Sequence, residues 1–181
     1  KAKKLKIEDE RKWTVPYLYT HKDREAFKIH TKAGMLWDRE IAIEQGNVYH
    51  HILENVITTK DLEPALKSAL NQGVLSDSIF EKVRETLIKL IHHPILCKFY
   101  SEGPTIYNEK ELLLSNGTIL IPDRVVLKGN SVDIIDYKTG RKNNKYKEQL
   151  ESYSKAYQEM GYTVQNKIIA YINEEIIVDY L

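Results

Sequence analysis

Asp123, Asp136 and Lys138 are the residues of this chain whose types and spacing could do chemistry together. They fall in Pro122-Asp123-Arg124 and in Val132-Asp133-Ile134-Ile135-Asp136-Tyr137-Lys138-Thr139-Gly140. Alternate residues of a strand share a face, so Asp136 and Lys138 project to one side, roughly 7 Å apart, along with Val132 and Ile134. Asp123 repeats the pattern on a face shared with Ile119, Ile121 and Val125. A carboxylate taken into an apolar surface is costly unless an opposite charge or a metal pairs with it. A lone Asp-x-Lys reads as a strand-end ion pair. A second aspartate on the neighbouring strand turns the reading toward a divalent cation, and two carboxylates suit a hard ion such as Mg2+ or Mn2+.

The elements that must position these groups follow from periodicity. Ile119 to Leu127 and Val132 to Lys138 are β-branched and apolar, and Lys128-Gly129-Asn130-Ser131 has turn chemistry, so the two runs read as a β-hairpin. Tyr107 to Leu114 begins the sheet, Asn116-Gly117 turns it, and Thr163 to Ile172 and Ile176 to Tyr180 close it around Asn173-Glu174-Glu175. A helix from Lys145 to Met160 carries Gln149, Tyr153 and Tyr157 on one stripe. Ahead of the sheet, a helix starting near Asp38 or Ile43 reaches Val56, with Val48, Ile52 and Val56 as its buried stripe and His50 and Glu54 sharing an adjacent face. Asp61 to Asn71 is a second helix. A third is capped by Asp77 and stops at His92-His93-Pro94, where the histidines read as partners of the helix C-terminus rather than as a metal site. This order gives an α/β (α+β) fold class, a mixed sheet with flanking helices behind an N-terminal helical block.

Pro122-Asp123, a connector, then Asp136-Tyr137-Lys138 resembles the PD-(D/E)XK nuclease signature. Asp136-Tyr137-Lys138-Thr139-Gly140 resembles the nuclease domain of the RecB and AddA helicase-nucleases. Gly46-x-x-x-His50-x-x-x-Glu54 is similar to that family's N-terminal helix motif, and Gln149-x-x-x-Tyr153 to its glutamine-tyrosine motif. The four pieces stand in the family's order. The resemblance implies a restriction-endonuclease-like core and a metal-dependent deoxyribonuclease acting in DNA repair and recombination, exo- or endonucleolytic. Its cofactor is Mg2+ or Mn2+, and its substrate is DNA, as single strands delivered by a helicase motor in cis or in trans. His50, Asp123, Asp136 and the Tyr137 carbonyl would hold the metal, Lys138 would serve the attacking water and the phosphate, and Gln149 and Tyr153 would position the strand or Lys138. Glu54 and Glu109 would be supporting acids. Arg141, Lys142, Lys145 and Lys147, directly beyond Gly140, would contact phosphates, against the plainer reading of a solvated loop. Two other readings stand beside this one: a non-catalytic DNA-binding or scaffold domain of a repair complex, and an unrelated metal-dependent hydrolase of small phosphates.

Bulk properties bound these readings. The 181 residues fit a single domain, with 1–23 as a basic linker or arm, 38–101 as the helical block and 105–181 as the catalytic sheet and helix. With 27 basic residues against 26 acidic ones the net charge is +1, so composition alone does not argue for nucleic acid. Cys97 is the single cysteine, which excludes an internal disulfide and a four-cysteine iron–sulfur cluster, and fits a reducing compartment. No membrane-length apolar run or signal-peptide core is present, so a cytoplasmic, nucleoid-associated protein is expected. No Gly-Lys-Ser/Thr phosphate loop is present, so any motor lies elsewhere. A first residue of Lys rather than Met suggests a fragment of a larger helicase-nuclease.

Overall fold

Strand β5, Ser131–Lys138, runs through the middle of a five-stranded sheet, and its neighbours decide what its two faces meet. The computed structural model describes residues 46–114 and 116–181. The chain divides into two compact units, Lys1–Glu40 and Ile41–Leu181, and the described residues all belong to the second. The expected N-terminal arm, and the start expected for the first helix near Asp38 or Ile43, lie outside them.

Helix α1 is described over 46–53 and ends there, short of the expected Val56. A 3-10 turn, Thr59–Asp61, leads into α2, Leu62–Asn71, which stops at Gly73 with a positive φ of 71°. Helix α3, Asp77–Ile91, is preceded by Ser76 as its N-cap residue, so Asp77 sits inside the first turn rather than at the cap. At its other end His92 Nδ1 donates to the Ile88 carbonyl at 3.2 Å, as a C-terminal partner should. A second 3-10 turn, Cys97–Tyr100, completes the helical block.

The sheet has the order β1-β4-β5-β6-β7, with β1 Thr105–Asn108, β4 Arg124–Lys128, β6 Thr163–Ile172 and β7 Ile176–Tyr180. Antiparallel β4 and β5 close through only Gly129 and Asn130, since Lys128 already faces Ser131. Helix α4, Asn144–Glu159, is capped by the Asn143 side chain, which accepts from Lys145 N, and carries the chain over to β6, parallel to β5. The fold is therefore mixed α+β. Among the described residues no helix is long and apolar enough to cross a membrane.

Two strand expectations are corrected. The single strand read across Ile119 to Leu127 is two: β3, Ile119–Leu120, pairs with β2, Leu112–Leu113, as a separate ribbon, and β4 begins only at Arg124. Pro122 between them has no N–H to give a ladder. The strand read from Tyr107 to Leu114 breaks likewise at Glu109, whose φ of 48° no continuous strand allows.

The sheet separates two cores. Ile135, Tyr137 and Val126 face the helical block with Ile52, Leu66 and Leu87. Val132, Ile134 and Val125 face α4 through Tyr153 and Tyr157. Arg124 has no exposed surface and joins sheet to block. Its Nη1 donates to Val56 O at 2.7 Å, its Nη2 to Ile57 O at 2.7 Å and to Phe99 O at 2.8 Å, and its guanidinium lies 4.1 Å from the Tyr100 ring.

Candidate metal-binding site

The described end of α1 and the C-terminal end of β5 meet at a close approach. A Cβ on Gly46 would lie 2.9 Å from Thr139 Oγ1, so the missing side chain lets the helix settle onto the strand end. His50, one turn further and on the same face, is thereby carried over Tyr137. Its Nε2 lies 3.1 Å from the Tyr137 carbonyl and its Nδ1 3.3 Å from Glu109 Oε1 and 3.5 Å from Asp123 Oδ1.

The two acids flank the paired ends of β1 and β4, Glu109 just after β1 and Asp123 just before β4. Asn108 pairs with Arg124 in the β1–β4 ladder, and the next residues continue the contact, Glu109 N donating to Asp123 O at 3.1 Å. Asp123 is held in turn by β5, since its Oδ2 accepts the Tyr137 N–H at 2.6 Å. Potential ligand atoms of His50, Glu109 and Asp123 all lie within 4.8 Å of one another. Asp136, expected beside them, is engaged elsewhere: its Oδ2 lies 2.6 Å from Lys138 Nζ, as the shared strand face requires. Asp136 has no exposed surface; the Lys138 ammonium occupies its Oδ2, and its Oδ1 has no hydrogen-bond partner among the described residues. The Lys138 ammonium also stands 5.3 Å from the Tyr146 ring centroid, so an aromatic face and a carboxylate fix it together.

Electrostatics follow from this crowding. Burial pushes the Asp136 pKa up to about 7, the Asp123 charge adds to that, and Lys138 opposes it. Burial disfavours protonated His50, but the hydrogen bonds and charges of Asp123 and Glu109 outweigh it and raise its pKa to about 10. In this arrangement imidazolium is the cation holding two carboxylates together, and both ring nitrogens donate.

One imidazole, that of His50, and two carboxylates, those of Glu109 and Asp123, beside a buried Asp136 oxygen without a partner among the described residues fit a divalent ion. Oxygen ligands favour Mg2+, and the imidazole extends the range to Mn2+. Glu109 belongs to this group more closely than sequence reasoning placed it. Its only signal in the sequence is the family resemblance, which implies a supporting acid there. The Tyr146 face and the Arg124 clamp had no signal at all.

The remaining candidate residues distribute as follows. Glu54 is exposed in the turn after α1, and only its backbone is used: its N–H donates to the His50 carbonyl at 2.9 Å and its carbonyl accepts from Asn108 Nδ2 at 3.0 Å. Gln149 donates to the Tyr153 hydroxyl at 2.6 Å and Tyr153 to the Ile121 carbonyl at 2.9 Å, so the pair braces the segment leading to Asp123 rather than reaching Lys138. Lys142 pairs with Asp179 at 2.6 Å. Arg141, Lys145 and Lys147 are exposed, the last two in the opening turn of α4 rather than in a loop.

No protein-family model matches the chain, and neither does any curated protein. A solved structure described as "Crystal structure of SSO0001" matches over 83% of this chain and 79% of that one, at 14% identity and a TM-score of 0.34. A likeness that low decides neither fold nor activity.

Proposed function

We propose that this chain is a metal-dependent deoxyribonuclease of the PD-(D/E)XK type, resembling the RecB and AddA nuclease domains. It hydrolyses phosphodiesters of single strands passed on by a helicase motor in cis or in trans, in DNA repair and recombination. One observation carries the reading. His50, Glu109 and Asp123 converge beside a buried Asp136 carboxylate whose Oδ2 pairs with the Lys138 ammonium at 2.6 Å and whose Oδ1 has no partner among the described residues.

His50, Glu109 and Asp123, with Asp136 and the Tyr137 carbonyl adjacent, would hold Mg2+ or Mn2+. When bound, such an ion lowers the pKa of water and offsets charge on the phosphate oxygens. The chain's own residues supply the rest. Asp136 and the Tyr146 ring hold the Lys138 ammonium in one place, where it can orient an attacking water and face the charge that builds on phosphorus. Asp123 is tied to the β5 backbone and cannot swing away. Gln149 and Tyr153 fix the approach to it, and Arg141, Lys145 and Lys147 offer charge to the flanking phosphates.

The test is cleavage of end-labelled single- and double-stranded DNA in Mg2+, Mn2+ or EDTA by wild type, Lys138→Ala and Asp136→Ala. We expect metal-dependent cutting, reduced at least about 100-fold by either change, the scale of losing one preorganised electrostatic group. Cutting that survives both changes, or a folded and metal-binding wild type that cuts nothing, would overturn the reading in favour of a non-catalytic DNA-binding domain.

A further inference from the structure

The ribbon of β2 and β3 leaves an apolar row uncovered beside the site. Its register sets Leu112 against Leu120 and Leu113 against Ile119. Leu112 and Leu120 turn inward onto Val125, Ile134 and Tyr153. Leu113, 74% exposed, and Ile119, 53% exposed, turn outward as a cross-strand pair, and Ile121, 40% exposed, extends the row toward the site. Singly exposed aliphatic residues are ordinary, but a contiguous row marks a contact surface. The row is firmly held, because Tyr153 bonds the Ile121 carbonyl. It ends one residue short of Asp123, separated by the buried Pro122. From Ile119 to Asp123 the backbone spans at most roughly 14 Å.

The segment that follows Lys138 differs in character. Beyond Lys138 the chain presents the exposed cations Arg141, Lys145 and Lys147. A protein partner seated on the aliphatic row would leave these cations unexplained. A single-stranded polynucleotide uses both: its phosphates are drawn to the cations, and its unpaired bases offer apolar faces to leucine and isoleucine, which wedge against bases readily. A duplex keeps those faces stacked inside.

We propose that Leu113, Ile119 and Ile121 form a base-binding subsite, which holds the unpaired bases of the strand whose phosphodiester lies at His50, Glu109 and Asp123. This deepens the nuclease reading and rests on it for the placement of the phosphodiester, but it can be measured without cutting.

The test is fluorescence anisotropy of the full 181-residue chain in EDTA, comparing labelled oligothymidylate with an abasic strand of equal length. We expect wild type to prefer the strand with bases about 10-fold, the scale of one base contact. Leu113→Ser/Ile119→Ser should bring the ratio to about 1, and Leu113→Ser alone, at the more exposed position, should lower it while leaving the fold intact. Equal wild-type affinity for the two strands, no binding to either, or a preference that survives the substitutions overturns the proposal. So does a wild-type dimer in light scattering that the double substitution dissolves without changing the preference, since a second copy then covers the row. A wild type that prefers bases yet never cuts DNA in Mg2+ or Mn2+ would leave this subsite standing and sink the nuclease reading alone.

Discussion

Burial raises the pKa of Asp136 toward neutrality, so folding opposes its ionisation. The folded value, about 7, lies above the ordinary carboxylate value. The stability this group contributes is therefore complete below about pH 4 and is lost as the pH climbs through 7. Asp136→Asn should accordingly unfold at a higher temperature than wild type at pH 8 in metal-free buffer, with a smaller gain at pH 5, while abolishing cleavage. Thermal melts at the two pH values check this, and the absence of any gain at pH 8 would refute it. His50 carries the opposite charge logic. Its pKa, raised to about 10 by Asp123 and Glu109 against the pull of burial, means that its proton stabilises the fold at low pH and that this help fades as pH rises through 10. To ligate, His50 must give up that proton. Mn2+ affinity measured by calorimetry should then climb about tenfold per pH unit between pH 7 and 9, and His50→Gln should flatten the slope.

Between elements, the Arg124 guanidinium holds three carbonyls, those of Val56, Ile57 and Phe99, at the junction of helical block and sheet. Arg124→Met leaves them buried without a donor, which should cost about 3 kcal/mol or more in urea unfolding. A loss below about 1 kcal/mol would mean that water replaces the guanidinium. Gly46→Ala meets Thr139 Oγ1 and should cost about 1–3 kcal/mol as an overpacked contact; in a cycle with Thr139→Ala the two losses should be less than additive. The sequence made much of this level legible. Strands β5, β6 and β7 and helices α2, α3 and α4 stand out because period-two or period-3.6 apolar patterning runs their whole length. The break at Ile121-Pro122-Asp123 is masked by the β-prone residues on either side of it, although Pro122 and Asp123 are themselves rare inside strands. Asp123, Asp136 and Lys138 announce themselves as charge where a strand should be apolar, and His50 through its place one turn beyond Gly46. Glu109 gives no such sign, since only the left-handed backbone at a non-glycine residue brings it in. Arg124 misleads in the other direction, because an arginine in a sequence reads as surface until its acceptors are known.

For the whole molecule, a net charge of +1 means that any attraction for a polyanion is local rather than global. Three exposed cations, Arg141, Lys145 and Lys147, predict a shallow salt dependence, with log K against log[salt] sloping by roughly −2 for single strands. Replacing all three with Gln should bring the slope near zero, whereas a slope much steeper than about −4 would place the phosphate contacts elsewhere. The β4–β5 turn has a further consequence, for the order of assembly. With only Gly129 and Asn130 between its arms, that hairpin can close within roughly 1–10 μs, bringing Asp123, Asp136 and Lys138 together by local contacts alone. His50 joins from 87 residues away in sequence, at the Tyr137 carbonyl, and long loops close late. During synthesis the order is reversed in time: α1 is made before β5 and waits, without its partner, for the intervening residues to follow. No partial product of translation that stops short of Tyr137 therefore contains the assembled cluster of His50, Glu109 and Asp123.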